Sequence, residues 1–224
     1  MCKLKSAIVL KDRVFIPEYD SHSKMLEELG IEDNYLGASK KFVRVELSPT
    51  NGDVFSEIDG WELTVDQDIR PDWFSVEEYK PKVIEAVKEW AKTHIHVGVE
   101  NLKINTGENH YIKDCKNVEI YGSATVKNIC GSATVEYICG SATVEYIYDS
   151  ATVEYIYGSA TVEYIYDSAT VISSPCFKWH NAENLILSEN ATFKDNYGKV
   201  IYQSGDYKLI TVKSGKKINE SEEI

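Results

Sequence analysis

Residues 122–171 read GSATVKNIC-GSATVEYIC-GSATVEYIY-DSATVEYIY-GSATVEYIY-DSATV, which is one nine-residue unit repeated five and a half times. A fixed short period indicates a repeat architecture, and nine residues are too few for a helical repeat. The unit is rich in Ser, Thr, Val, Tyr and Ile, which favour strands and turns over helices. This stretch therefore predicts an all-β solenoid, a β-helix built from nonapeptide repeats.

The spacing within one unit predicts which side chains face inward. Ala124 and Val126 are two residues apart, so both project from the same side of a strand. Ile129 follows three residues later, which predicts a bend between Val126 and Ile129. We expect Ala, Val and Ile of each unit to stack on their copies in the next coil, leaving Thr, Glu and Tyr on the outside.

The residue that opens each unit predicts how many units make one coil. One alternate set opens with glycine throughout and the other contains aspartate: Gly122, Gly140 and Gly158 against Gly131, Asp149 and Asp167. Both residue types suit turns, since glycine tolerates positive φ and aspartate bonds to nearby backbone. A true period of 18 residues would produce this alternation, so we expect two units per coil.

The outward tyrosines and glutamates are the candidate binding residues. Equivalent residues on adjacent coils of a solenoid lie ~4.8 Å apart, so tyrosine rings can stack and glutamates repel weakly. We expect a rigid acidic and aromatic surface, formed by Glu136, Tyr137, Glu145, Tyr146, Tyr148, Glu154, Tyr155, Tyr157, Glu163, Tyr164 and Tyr166. The alternative is that these rows are only surface copied by duplication.

The rest of the chain predicts a domain on either side of this stretch. Alternating strands at 5–10, 14–19, 42–47 and 61–65 predict an α+β N-terminal domain over residues 1–97, with a short helix that Ser21 or Ser23 caps and that ends near Leu29. Ser75 opens a second helix, and Pro81 either follows a short first turn or begins the main helix. The solenoid spans 98–212 with a C-terminal cap, and 213–224 is a flexible tail.

Charge and cysteine content bound the partners and the compartment. The chain has 224 residues and a formal net charge of −12. Residues 122–171 carry one basic and six acidic side chains, so direct binding to nucleic acid is not expected. Five cysteines without a CxxC pair, no signal peptide and no long apolar run predict a reduced cytoplasmic protein without a membrane span.

Catalytic and metal motifs are missing from the sequence. The chain has no P-loop, no dinucleotide-binding GxGxxG after a strand and no GxSxG nucleophile elbow. His94 and His96 are two residues apart but have no completing ligands, and the acidic cluster around Asp66, Asp68 and Asp72 lacks an EF-hand pattern. We therefore predict no enzyme activity, no cofactor and no metal.

The layout of the whole chain carries a resemblance. A near-identical nonapeptide stretch follows a small α+β domain whose last helix ends in EWAKTHI at 89–95. This layout resembles accessory proteins of bacteriophages and prophages of gut Firmicutes. The resemblance implies a non-structural role inside a bacterial host cell. The stacked coils and acidic exterior are also similar to pentapeptide-repeat proteins, some of which imitate duplex DNA, although the period here is nine and not five.

Together these features predict a non-enzymatic interaction protein that presents the solenoid surface to a host or phage protein, as a nucleic-acid mimic or as an inhibitor of a host enzyme. One alternative is a small-molecule or nucleotide binder, with a pocket in the N-terminal domain lined by Trp61, Trp73, Phe74 and Trp90. Another is a structural component of a phage particle. The sequence leaves the oligomeric state open, a homodimer included.

Overall fold

The structure is a computed structural model that describes residues 4–32, 41–173, 185–187, 190–195, 200–203, 210–213 and 216–219. The chain divides into two compact units, Met1–Ile95 and His96–Ile224. The predicted fold class is confirmed, since a small α+β region precedes a parallel β-solenoid. The division lies two residues before the boundary that the sequence predicts.

The first unit contains an antiparallel sheet of four described strands. They are β1 (Lys5–Leu10), β2 (Val14–Phe15), β3 (Phe42–Ser48) and β4 (Glu62–Val65). Their order in the sheet is β2-β1-β3-β4. Strand β2 is shorter than the predicted 14–19, and Pro17 offers the physical reason, since it has no backbone N–H to donate to a ladder.

Helix α1 (His22–Glu28) is capped by Ser21, one of the two serines that the sequence predicts as its cap. The Ser21 hydroxyl accepts from the backbone N–H of Lys24, which satisfies one of the helix's free donors. Met25 and Leu26 are buried and pack in one cluster with Ile8 of β1 and Phe42 of β3. The helix therefore covers part of the sheet and brings its first residue, His22, to it.

Helix α2 (Val76–His94) contradicts both predictions for Pro81. The helix is continuous, Ser75 is its cap, and Pro81 lies inside it. A proline at the sixth helical position removes one intrahelical hydrogen bond. The helix continues because Glu77 and Glu78 suit its N-terminal dipole and its buried stripe lies on both sides of the proline. That stripe consists of Tyr79, Val83, Val87, Trp90, Ala91 and His94.

A buried ion pair ties β1 to the loop before α1. The Lys5 side chain is fully buried and its Nζ lies 2.7 Å from Asp20 Oδ1. The same ammonium donates to the carbonyl of Tyr19 at 3.2 Å and lies 4.9 Å from the centre of the Trp90 ring. Charge-assisted hydrogen bonds and the aromatic ring together replace the water that a buried ammonium loses.

The second unit is a solenoid of two parallel sheets. Alternate strands belong to alternate sheets. One sheet contains β6 (Lys103–Ile104), β8 (Val118–Ile120), β10 (Thr134–Ile138), β12 (Thr152–Ile156), β14 (Thr170–Ser173) and β16 (Thr192–Asp195). The other contains β5 (Ile95–Val97), β7 (His110–Lys113), β9 (Thr125–Cys130), β11 (Thr143–Ile147), β13 (Thr161–Ile165) and β15 (Leu185–Leu187).

The register confirms the 18-residue coil. Val135 of β10 pairs with Val153 of β12, and Val144 of β11 pairs with Val162 of β13. The inward stacking of Ala, Val and Ile is also confirmed: in the repeats these side chains are 0–4% exposed and form one continuous cluster. Each strand buries its Val and Ile and leaves the intervening Glu and Tyr outside. The core is therefore made of identical layers.

The described C-terminal strands change direction. Strands β17 (Val200–Gln203) and β18 (Ile210–Lys213) pair antiparallel with β16 and β15. Strand β19 (Lys216–Asn219) then pairs antiparallel with β18. Strand β19 lies inside segment 213–224, which the sequence predicts to be a flexible tail. The structure differs from that prediction at 216–219, because the backbone there has a ladder partner in β18. Residues 220–224 lie outside the described residues.

Candidate functional site: two tyrosine faces of the solenoid

The predicted binding residues occupy two faces. Because two units make one coil, Tyr137 pairs with Tyr155 on one sheet and Tyr146 with Tyr164 on the other. A single row of tyrosines at nine-residue spacing therefore does not form. The β10–β12 face presents Glu136, Tyr137, Glu154, Tyr155 and Tyr157, and the β11–β13 face presents Glu145, Tyr146, Tyr148, Glu163, Tyr164 and Tyr166.

Four tyrosines form a compact cluster on the β11–β13 face. Tyr146 and Tyr164 stack with ring centroids 4.9 Å apart and planes 18° apart. Tyr148 and Tyr166 stack at 5.1 Å, and Tyr146 meets Tyr166 edge to face at 6.3 Å. Offset and edge-to-face arrangements are the favourable ones for aromatic pairs. Two adjacent columns of rings thus fix one another into a continuous aromatic surface.

The preceding coil ends this cluster with polar contacts. Asn128 occupies the register position of Tyr146, and its Nδ2 donates to the phenol oxygen of Tyr148 at 2.9 Å. Cys130 occupies the position that Tyr148 and Tyr166 hold in later coils, and it is only 2% exposed. Burial raises the pKa of the Cys130 thiol to about 11, so the group stays a neutral thiol near neutral pH. The coil that contains β9 therefore contacts the tyrosine columns at one end.

Ion pairs neutralise part of the predicted acidic rows. On the β11–β13 face Lys127 pairs with Glu145 of the next coil, and Glu163 follows one coil later. On the opposite face Glu119 accepts from Lys103 at 2.9 Å and from the Tyr137 hydroxyl at 2.6 Å. The surface of the solenoid is therefore less uniformly acidic than the repeat sequence implies. The net negative charge of the repeats lies in residues 140–171.

The phenol groups keep their protons at neutral pH. Burial raises the pKa of Tyr146 and Tyr148, and it raises the pKa of Tyr166 to about 12. The hydrogen bond to Glu119 raises the pKa of Tyr137 well above its ordinary range. An ionised phenol would lose water on burial or face a carboxylate. Both faces therefore offer neutral rings with hydroxyl groups near neutral pH.

The β10–β12 face is looser than its counterpart. Tyr137 meets Tyr157 at 5.9 Å and Tyr121 at 6.5 Å, with both pairs tilted by 44°. Cys139 stands between Tyr121 and Tyr157 in the column and interrupts it. Tyr155 and Tyr157 are 47% and 38% exposed. These rings lack the close parallel stacking that orders the β11–β13 face.

Aspartates at one corner of the coil cap backbone groups of neighbouring coils. Asp149 accepts from the backbone N–H of Gly131 at 2.9 Å, and Asp167 accepts from that of Asp149 at 3.1 Å. Asp114 instead accepts from the backbone N–H and hydroxyl of Ser132. Hydrogen bonds from Ser132 lower the pKa of Asp114. Asp149 and Asp167 both lie at this corner, which explains why only alternate units of the sequence open with Asp.

In the described part of the N-terminal unit, the four aromatic residues predicted to line a pocket have different surroundings. Trp61 is fully buried, and its indole N–H donates to Ser56. Trp90 stacks on His94 at 4.7 Å, whereas Trp73 and Phe74 meet each other at 6.2 Å. An open groove of about 570 Å³ follows α2, and none of the four lines it.

The two histidines that the sequence singles out, His94 and His96, have different partners. His94 belongs to α2, where its Nδ1 lies 2.9 Å from the Trp90 carbonyl, and burial lowers its pKa. His96 stacks on His110 of the solenoid at 5.6 Å. A set that the sequence did not reveal lies in the N-terminal unit: potential ligand atoms of His22, Glu46 and Asp66 are within 4.8 Å of one another. Their sequence spacing is too wide for any local motif.

Comparison of the chain with known proteins found no relative. No protein-family model matches the chain. No curated protein and no solved structure is significantly similar to it. Within the described residues, neither α1 nor α2 is long and apolar enough to cross a membrane.

Proposed function

We propose that this protein is a non-enzymatic binding protein whose β11–β13 face docks onto a host or phage protein. The observation that carries the proposal is the pair of stacked tyrosine columns, Tyr146 over Tyr164 and Tyr148 over Tyr166. The β10–β12 face carries the same repeated unit, yet its ring pairs are tilted by 44°, so duplication alone does not produce this stacking. The resemblance to phage accessory proteins supports a bacterial host protein as the partner.

Tyrosine suits such a surface for energetic reasons. Each ring supplies a large contact area with few rotatable bonds, so little side-chain entropy is lost on binding. Here stacking on the next coil already orders the rings, which lowers that entropy cost further. The neutral hydroxyl groups add hydrogen-bond donors and acceptors without charge. The partner surface is thus expected to present backbone polar groups or amphipathic side chains to the columns.

The charge distribution favours a partner with a basic rim. Glu163 is exposed, and Glu145 remains 26% exposed beside Lys127. A carboxylate rim around an aromatic centre resembles the usual anatomy of a protein interface, in which charges lie at the edge. The few cations in the repeats do not favour contacts to nucleic-acid phosphates. An interaction with a protein is accordingly the better fit.

A second candidate function is imitation of duplex DNA, which the density of negative charge along the solenoid axis favours. The coil formed by residues 140–157 carries Glu145, Asp149 and Glu154 and no basic side chain. With coils ~4.8 Å apart, this is roughly one negative charge per 1.6 Å of axis. Duplex DNA carries about one per 1.7 Å. The preceding coil has equal positive and negative charge, and residues 158–171 carry only Glu163 and Asp167, so this density is reached in one coil.

The proposal is tested by affinity capture with two matched variants. The first replaces Tyr146, Tyr148, Tyr164 and Tyr166 by Ser, and the control replaces Tyr137, Tyr155 and Tyr157 by Ser. Immobilised full-length proteins are exposed to bacterial lysate, and bound proteins are quantified by mass spectrometry. We expect one partner that wild type and the control retain and the first variant loses. Circular dichroism checks that both variants are folded.

Three results would count against a specific aromatic docking face. One is identical capture by all three proteins, the second is equal loss from both variants, and the third is no retained protein at all. A salt series separates the two candidates. Capture by charge imitation falls steeply with added salt, whereas capture by the tyrosine columns persists.

A further inference from the structure

We propose that His22, Glu46 and Asp66 in the N-terminal unit bind a divalent first-row transition-metal ion. The three residues come from different elements: the first residue of α1, the middle of β3 and the segment that follows β4. This site is separate from the tyrosine faces, and its test does not depend on the proposed function.

The geometry is close to that of a ligand set. One potential ligand atom from each residue lies within 4.8 Å of the other two. Zinc-type ions bind imidazole nitrogen and carboxylate oxygen at about 2.0–2.2 Å, so two ligands of one ion lie roughly 3–4 Å apart. Asp66 has a 57% exposed side chain and is free to rotate toward an ion. Only a small side-chain adjustment is therefore needed.

His22 is oriented as metal-binding histidines usually are. Its Nε2 lies 3.2 Å from the Val45 carbonyl, and its Nδ1 lies 3.3 Å from Asp66 Oδ2. A carbonyl only accepts, so Nε2 carries a proton and the neutral ring has its lone pair on Nδ1. A backbone carbonyl on the far nitrogen is a common way of fixing the tautomer of a ligand. The coordinating nitrogen thus faces the Asp66 carboxylate.

Glu46 places a nearly buried carboxylate at the same point of the sheet. It is only 8% exposed, and in the sheet it lies between Ser6 of β1 and Thr64 of β4. Among the described residues its carboxylate has no hydrogen bond and no ion pair. A carboxylate that keeps little contact with water and has no partner is destabilised, and a bound cation would relieve that cost. Pairing of a protonated His22 with Asp66 would leave this cost in place.

Charge and donor type identify the class of ion. Two carboxylates and a neutral imidazole carry a charge of −2, which a divalent ion balances. One nitrogen and two oxygen donors suit ions such as Mn²⁺, Fe²⁺ and Zn²⁺. Ca²⁺ prefers six to eight oxygen ligands, which three side chains do not supply. Exposed Asp66 leaves the remaining coordination positions open to water.

The experiment uses full-length protein treated with chelator and titrated with Mn²⁺, an ion that avoids the cysteine thiols. Calorimetry measures the affinity and stoichiometry of wild type, Glu46→Gln and the matched control Asp68→Asn. Asp68 is an exposed carboxylate two residues after Asp66 and outside the ligand set. We expect 1:1 binding, weakened at least about tenfold by Glu46→Gln and less than about twofold by Asp68→Asn.

Thermal unfolding gives a readout whose sign distinguishes a site from a structural pair. Without metal, Glu46→Gln is expected to melt no lower than wild type, because it removes an unpaired buried charge. With millimolar Mn²⁺ the order reverses, since only wild type is stabilised by tight binding. The proposal is overturned by the absence of saturable Mn²⁺ binding, by equal affinity in wild type and Glu46→Gln, or by metal-free Glu46→Gln melting below wild type.

Discussion

The phenol rings of Tyr148 and Tyr166 are parallel within 2°, and their centroids lie 5.1 Å apart. The two residues are one full coil apart in the chain, so the distance between strands of the sheet sets the distance between the rings. Tyr148 also accepts a hydrogen bond from Asn128 of the preceding coil. The backbone ladder thus positions the side chains for the proposed binding surface.

Stability should fall in alkaline solution because of these rings. Burial raises the pKa of Tyr166 to about 12, and unfolded tyrosine ionises near 10. The folded state therefore holds this proton longer, so the contribution is intact below about pH 10 and is lost as the pH rises toward 12. Tyr166→Phe should remove a pH-dependent loss on the order of 1 kcal/mol after solvent screening.

Urea unfolding at about pH 9 and about pH 11 measures this difference. Tyr155→Phe, which alters an exposed ring on the opposite face, is the matched control. The prediction fails if Tyr166→Phe loses as much stability between the two pH values as wild type and the control do.

Coil length predicts an asymmetry between two deletions. Removing residues 136–153 takes out one whole coil and leaves every later strand in its own sheet. Removing residues 145–153 takes out half a coil and transfers every later strand to the opposite sheet. Strands β15 and β16, which lack the repeat sequence, then lose their partners. We expect the shorter deletion to melt on the order of 5–10 °C below the longer one.

Circular dichroism melts of the two deletion variants and wild type provide the measurement. The longer deletion should stay close to wild type, because each coil contacts only its neighbours. Equal melting temperatures for the two deletions would contradict the two-unit coil.

Gly131 predicts a steric effect at the aspartate corner. Its φ is +66°, and a Cβ there would lie 2.2 Å from Asp114 Oδ1. Gly98 has almost the same φ, +65°, but open space around its Cβ position. Gly98→Ala should cost about 1 kcal/mol from backbone strain alone. Gly131→Ala should cost about 2–3 kcal/mol, since Asp114 must also give up its hydrogen bonds to Ser132.

Chemical unfolding of both glycine variants provides the comparison, and Asp114→Ala combined with Gly131→Ala isolates the clash. In that double variant the alanine at 131 should cost about as much as the one at 98. Equal costs for the two single variants would show that the carboxylate is not the obstacle.

Loss of the buried Lys5 ammonium should strongly reduce the stability of the N-terminal unit. Lys5→Met keeps most of the side-chain volume but leaves Asp20 without its 2.7 Å partner. We expect a loss of about 3 kcal/mol, as for other buried pairs deprived of one member. Lys82 pairs with Glu78 one helical turn away, with both side chains about half exposed. Lys82→Met should therefore cost far less stability than Lys5→Met.

Urea unfolding followed by tryptophan fluorescence monitors this comparison, since Trp61 and Trp90 are buried in the same unit. Similar losses for both lysine variants would mean that the burial of Lys5 contributes little.

Local patterns predicted much of this fold correctly. The nine-residue period, the inward Ala, Val and Ile and the two-unit coil all follow from spacing and from the Gly and Asp alternation. Ser75 was recognised as a cap, and Ser21 was one of two candidates with Ser23, because capping acts over three residues. Pro81 misled the prediction, since packing of Tyr79 and Val83 on either side of it was not visible in the local sequence.

The candidate sites depended on distances that the sequence does not contain. Eleven outward residues were predicted as one surface, but alternate units face opposite ways, so the compact cluster holds only four tyrosines. The set of His22, Glu46 and Asp66 joins residues 24 and 20 positions apart, and the antiparallel sheet decides that they meet. No spacing rule links residues across such a gap.

The sequence by itself determined that the repeats form a solenoid with an aliphatic interior, because burial of apolar side chains follows the period of the chain. The tertiary structure alone decided which tyrosines stack, which carboxylates pair with a lysine and which glutamate is buried without a partner. Those outcomes depend on the stacking of coils and the pairing of distant strands, which bring together side chains that are far apart in the chain.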